Sequence, residues 1–147
     1  MRVASILHRA GHLPGDTTDT LTLDYEARFL RRKKLVTGAG AGVLVDMAET
    51  VSLDHGDALE ADDGSLIGIV AAPEALLEIT GDLTRLAWHI GNRHTPCQIE
   101  ARRLLIRDDP VLADMLAGLG ATVTPVTAPF TPEGGAYGHG RTHGHSH

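Results

Sequence analysis

Hydrophobic and polar positions follow one rhythm up to about residue 70 and another beyond it. Val3-Ala4-Ser5-Ile6-Leu7 and Thr20-Leu21-Thr22-Leu23 are short alternating or β-branched runs, the pattern of half-buried strands. Leu35-Val36-Thr37 runs into the glycine-dense stretch Gly38-Ala39-Gly40-Ala41-Gly42, which suits a turn. Val43-Leu44-Val45 and Thr50-Val51-Ser52-Leu53 repeat the strand pattern, with turns at Asp54-His55-Gly56-Asp57 and Asp62-Asp63-Gly64-Ser65. No segment here keeps a 3.6-residue apolar period over several turns. The reading is a small all-β domain over residues 1–72.

Near Ala72-Pro73 the pattern changes. Leu66 to Ala71 and Ala75 to Thr80 read as buried strands on either side of it. Asp82 is placed to cap a helix whose apolar stripe is Leu83, Leu86, Ala87 and Ile90, with Gly91 and Pro96 bounding its end. Gln98 to Arg107 reads as one strand. Asp109-Pro110 opens a second helix with Val111, Leu112, Met115, Leu116 and Leu119 on its apolar face, and Gly120 supplies its stop. Thr122-Val123-Thr124 begins a last strand. The expected fold is therefore α+β: the β-rich domain, then a ferredoxin-like βαββαβ-type domain over residues 73–134. Residues 135–147 have almost nothing apolar to bury and read as a disordered histidine-rich tail.

Composition narrows the function. With 147 residues, 42% hydrophobic and 22% charged, the chain has the balance of a soluble globular protein of one or two domains. Aromatics are 3%, which argues against base stacking, and the net charge of -6 disfavours nucleic acid and anionic membrane. The basic run Arg31-Arg32-Lys33-Lys34 reads as the solvated face of a strand. Cys97 is the only cysteine, so no intramolecular disulfide can form. The first twenty residues hold no sustained apolar segment, and a cytoplasmic location is expected. No nucleophile elbow, phosphate loop or His-Glu-x-x-His helix is present, so an enzyme is not expected.

Histidine carries the candidate chemistry. His139, His143, His145 and His147 alternate with small and polar residues at the C-terminal end, where neutral imidazoles could gather nickel, zinc or copper. A purification tag, the bland alternative, is normally an uninterrupted run. A flexible segment of ten residues spans roughly 17 Å, so ions held there stay near the folded part. The second cluster is Trp88-His89-Ile90-Gly91-Asn92-Arg93-His94. On one helix His89 and His94 point about 140° apart, so the helix cannot aim both at one ion. Read by itself, His94 is more readily a packing or capping residue than a ligand.

The run Gly91-Asn92-Arg93-His94 after a helix, with Gln98 following, resembles the signature of the urease accessory nickel-chaperone family known as UreE. The resemblance extends over nearly the whole chain. It includes the basic strand, the Gly56-Asp57-x-Leu59 turn, Leu112-Ala113-Asp114-Met115-Leu116, and Pro129-Phe130-x-Pro132-Glu133-Gly134-Gly135-Ala136-Tyr137 before the tail. It implies that His94 of each subunit binds Ni(II) at a homodimer interface, with tail histidines helping. Zn(II) or Cu(II) could occupy the same site. It also implies delivery to an apo-urease complex with an accessory GTPase, the first domain serving as a docking module.

Departures from the family pattern matter too. Asp108 and Pro110 stand where some relatives carry a His-x-His pair, which puts that separate site in doubt, although Asp108 could offer an oxygen. Leu44-Val45-Asp46-Met47 replaces a Leu-Pro-Arg-Gly turn. Cys97 reads as packing, His89 as supporting the site, and His8, His12 and His55 as surface residues. The rival functions are a general nickel or zinc buffer and a polypeptide-binding co-chaperone with an incidental metal site.

Overall fold

A computed structural model describes residues 1–134. Two compact units emerge, the first running from Met1 to Ala72 and the second beginning at Pro73. The architecture is α+β, mostly strands with two helices. The histidine-rich end, expected to be disordered, lies outside the described residues.

The first unit is a six-stranded sheet of β1 (Arg2–His8), β2 (Asp19–Leu23), β3 (Phe29–Val36), β4 (Gly42–Ser52), β5 (Ala58–Ala61) and β6 (Leu66–Ala71). Its order is β2-β6-β5-β1-β4-β3, with β1 parallel to β4 and β2 parallel to β6. Alternation drives the burial: along β4, Val43, Val45 and Met47 turn into an aliphatic core with Leu21, Leu59 and Ile67. β4 is one strand where the sequence suggests two. Its register against β3 shifts between Leu30 and Arg32, so the polar residues Glu49 and Thr50 bulge outward without ending it. Arg31 to Lys34 are all exposed on β3, as a solvated strand predicts, and Arg32 pairs with Asp46 at 3.0 Å.

Two buried polar groups hold this unit's loops. Asp57 accepts from Arg9 Nη1, the Ala10 amide and the Asp54 amide at 3.0, 2.9 and 2.8 Å. Arg28 donates to the carbonyls of Leu23 and Leu53 at 3.0 and 3.2 Å, with its guanidinium 5.8 Å from the Tyr25 ring centroid. Both are buried yet fully engaged, as buried charge must be.

The second unit contains β7 (Pro73–Thr80), α1 (Leu83–Asn92), β8 (Gln98–Ile99), β9 (Leu104–Arg107), α2 (Pro110–Gly118) and β10 (Thr122–Pro129). The single strand expected over Gln98 to Arg107 is instead the hairpin β8–β9. Its turn closes with the Glu100 amide on the Arg103 carbonyl at 3.0 Å and the Arg103 Nε on the Glu100 carboxylate at 3.0 Å. The sheet order is β10-β7-β9-β8, all antiparallel. Leu77, Ile79, Leu104 and Ile106 face the helices and pack with Leu86, Ile90, Leu112 and Leu116. The alternate positions Glu78, Leu105 and Gln98 are paired neighbours on the opposite, helix-free face.

Both helices start as the sequence predicts. The Asp82 side chain accepts from the Arg85 amide, and Asp109 accepts from the amides of Val111 and Leu112 at 3.0 and 3.2 Å.

Candidate metal centre

The site is built at the end of α1. The helix ends at Asn92, between the Gly91 and Pro96 that bound it in the sequence, and is capped by Arg93. The reversal comes at His94, where the amide donates to the Gly91 carbonyl at 2.9 Å and the Thr95 amide reaches back to Ile90 at 3.4 Å. That pair of bonds is a Schellman closure, which requires a left-handed residue just past the cap. His94 takes that conformation, with φ 56, the only described non-glycine residue at positive φ.

The second helix makes the same closure with a different residue. There the Gly120 amide donates to Ala117 and the Ala121 amide to Leu116, both at 3.0 Å, and Gly120 sits at φ 88. One chain thus uses glycine at one helix terminus and histidine at the other. A left-handed conformation costs an L-residue roughly 1–2 kcal/mol, and histidine is among the side chains that tolerate it best. The strained turn keeps an imidazole where the cheaper residue would have none.

Around this terminus lies an open groove of about 570 Å³, lined by His89, Arg93 and Thr95 from the α1 end and Asp109, Val111 and Met115 from α2. Arg93 Nε stands 3.2 Å from the Met115 sulfur. His89 is half-buried beside the Trp88 ring, centroids 5.1 Å apart and edge to face, while Trp88 itself is 64% exposed. His94 is half-buried.

Cys97, three residues on, packs in the helix-side core with Ile90 and Leu104. Burial, helped by the charge of Glu133, pushes its thiol up to about 11, so it is protonated at neutral pH and not a thiolate donor. Asp108 is exposed and lines a smaller groove of about 300 Å³ with Glu74, Arg107 and Asp109. His8 and His55, read as unpartnered surface residues, have partners. His8 Nε2 meets the Glu60 carboxylate at 2.9 Å, and His55 Nδ1 accepts from the Ala71 amide at 3.1 Å.

His139, His143, His145 and His147 lie outside the described residues. Among the described residues no group of three or more His, Cys, Asp or Glu side chains is placed to hold a metal ion.

What sequence reasoning missed is the segment that follows β10. Phe130 is fully buried, the Thr131 amide donates to Gln98 Oε1 at 2.9 Å, and the Glu133 amide donates to the Cys97 carbonyl at 2.9 Å. The available signal was Phe130 itself, a lone aromatic among prolines and threonines.

Fold and site define a two-unit α+β protein that presents one histidine from a strained helix terminus. Two family models cover it: the UreE urease accessory protein N-terminal domain matches residues 3–72, and the UreE C-terminal domain matches residues 74–147. The chain belongs to the UreE urease accessory protein family, whose role is in urease maturation, and it is not itself an enzyme. It is 62% identical to the urease accessory protein UreE of Ruegeria pomeroyi, over 96% of this chain and 95% of that protein. It is 59% identical to the protein of the same name from Cereibacter sphaeroides, over 96% and 78%, and 57% identical to that of Rhodobacter capsulatus, over 97% and 95%. Among the described residues no helix is long and apolar enough to cross a membrane.

Proposed function

We propose that this chain is a nickel metallochaperone that binds Ni(II) between two copies of itself through His94 and delivers it for assembly of the urease active site. The observation that carries the reading is the left-handed His94 at a turn that the same chain closes with glycine elsewhere. A two-fold axis beside that terminus sets two imidazoles face to face from one histidine per chain. Nickel accepts further nitrogen and oxygen donors, which His139, His143, His145 and His147 supply. Zn(II) and Cu(II) compete for the same nitrogens, Cu(II) with the greater intrinsic affinity, so selectivity comes from metal supply and the recipient.

The β10-β7-β9-β8 order, antiparallel with both helices on one face, supports a ferredoxin-like plait for residues 73–134. Residues 1–72 act as the docking domain, the histidines of residues 135–147 collect metal, and the recipients are the accessory GTPase and the apo-urease complex. The setting is the cytoplasm. Because the shell is shared between chains and open to the tail, the ion exchanges faster than from a closed four-ligand site.

Reconstituted urease activation tests this. Nickel-loaded wild-type protein should activate apo-urease in the presence of a weak chelator that withholds free nickel. His94→Gly should lower that activation at least tenfold. Equal activation by the two proteins contradicts delivery through His94. Activation that depends on the tail and not on His94 would mark a buffer.

A further inference from the structure

The two edges of the first sheet are unlike. β2 is five residues long and turns Leu21 and Leu23 inward, whereas β3 runs for eight residues without a glycine or proline, and of these only Leu30 is buried. β3 pairs with β4 alone, so alternate residues turn their amide and carbonyl groups away from the sheet. A long open edge of this kind is a template for a further strand.

The side chains along the edge decide which strand it accepts. Arg31, Arg32, Lys33 and Lys34 are all exposed. Arg32 stands opposite Asp46 and bonds to it at 3.0 Å, while Lys33 stands opposite buried Val45, so cations border the edge on both faces of the sheet. Among the described residues no carboxylate pairs with Arg31, Lys33 or Lys34. The run is a stripe of positive charge on a chain whose net charge is -6. At its two ends the apolar residues Phe29 and Val36 are 53% and 70% exposed.

Lysine on an edge strand ordinarily keeps other strands away. That repulsion is selective, because a neutral or basic segment must desolvate these charges without return, whereas an acidic one gains charge pairs. Protection alone is met more simply by a short edge, as in β2, and gains nothing from exposed apolar residues at both ends of the run. Nucleic acid fits less well, since the chain as a whole is acidic and only 3% aromatic.

We propose that the outer edge of β3 is a docking site for an acidic extended segment of a partner protein, which joins the sheet beside β3 with carboxylates against the cationic run and apolar residues against Phe29 and Val36. The inference rests on the reading of residues 1–72 as the docking domain, and adds to it a surface and a partner chemistry. Backbone pairing supplies the affinity and the charges supply the choice of partner.

A fluorescent, end-capped peptide Val-Val-Glu-Glu-Glu-Glu-Val-Val, titrated with the metal-free full-length chain, tests it. The peptide should bind, and more weakly as salt rises. Replacing its glutamates with glutamine, or methylating every glutamate amide nitrogen, should each weaken binding about tenfold or more. Combined Arg31→Glu, Lys33→Glu and Lys34→Glu should do the same, and the milder combination Arg31→Gln, Lys33→Gln and Lys34→Gln should fall between. No binding of the acidic peptide would overturn the proposal, leaving the cations as edge protection. Equal binding of the glutamine or N-methylated peptide would overturn it too, as would tighter binding of a single-stranded DNA oligonucleotide. Urease activation by the glutamate-substituted chain separates the two readings. Peptide binding by the natural chain with activation undiminished by the substitutions supports the site and counts against docking through the first unit. Lost activation without peptide binding keeps the docking reading and overturns the site.

Discussion

The amide of His94 donates to the carbonyl of Gly91 at 2.9 Å, and this bond closes α1 around a histidine in the left-handed conformation. Gly120 does the same for α2 without a side chain. The contrast separates what the fold needs at residue 94 from what the function needs.

Replacing His94 with glycine should therefore spare the fold while removing the imidazole. Relief of the left-handed strain is offset in part by the freer unfolded chain, so urea melts should give a stability within about 1 kcal/mol of wild type, on the stable side. A loss beyond about 2 kcal/mol would mean that the ring is a packing residue.

Cys97→Ala should leave nickel affinity unchanged, because burial holds the thiol protonated at neutral pH. The sign of its pH effect follows from its raised pKa. In the unfolded chain the thiol ionises near its ordinary value of 9.0, whereas in the fold it resists to about 11. Its contribution to stability is complete below pH 9 and is lost as pH rises toward 11. Denaturant melts at pH 7 and pH 10.5 should show wild type losing more stability than Cys97→Ala over that interval.

Arg28→Met in the first unit should cost about 2–4 kcal/mol, because the carbonyls of Leu23 and Leu53 lose their buried donor. Nickel stoichiometry should not change, since His94 belongs to the second unit. Thermal unfolding followed with calorimetric nickel titration checks both halves. A variant as stable as wild type would show that water replaces the guanidinium.

Elements were legible wherever period and punctuation agreed. Asp82, Asp109 and Gly120 marked three of the four helix boundaries because capping chemistry is local. The fourth falls between Gly91 and Pro96, the residues that bound it in the sequence, and within that interval it is set by which residue takes the left-handed conformation, which is His94. The β8–β9 turn was invisible because Glu100-Ala101-Arg102-Arg103 contains neither glycine nor proline and is closed by a side-chain ion pair. For the proposed site, histidine composition points to metal chemistry and the family motif singles out His94, and both belong to the proposal. The Gln98–Thr131 hydrogen bond joins residues 33 positions apart, which no local pattern encodes.

The central claim is that one nickel is held by His94 from two chains, and calorimetric titration of the apo-protein tests it most directly. The account predicts a tight phase at one nickel per two chains that disappears in His94→Gly and weakens in acid, where imidazole is protonated and cannot ligate. A tight phase at one nickel per chain, unchanged by His94→Gly, would contradict it.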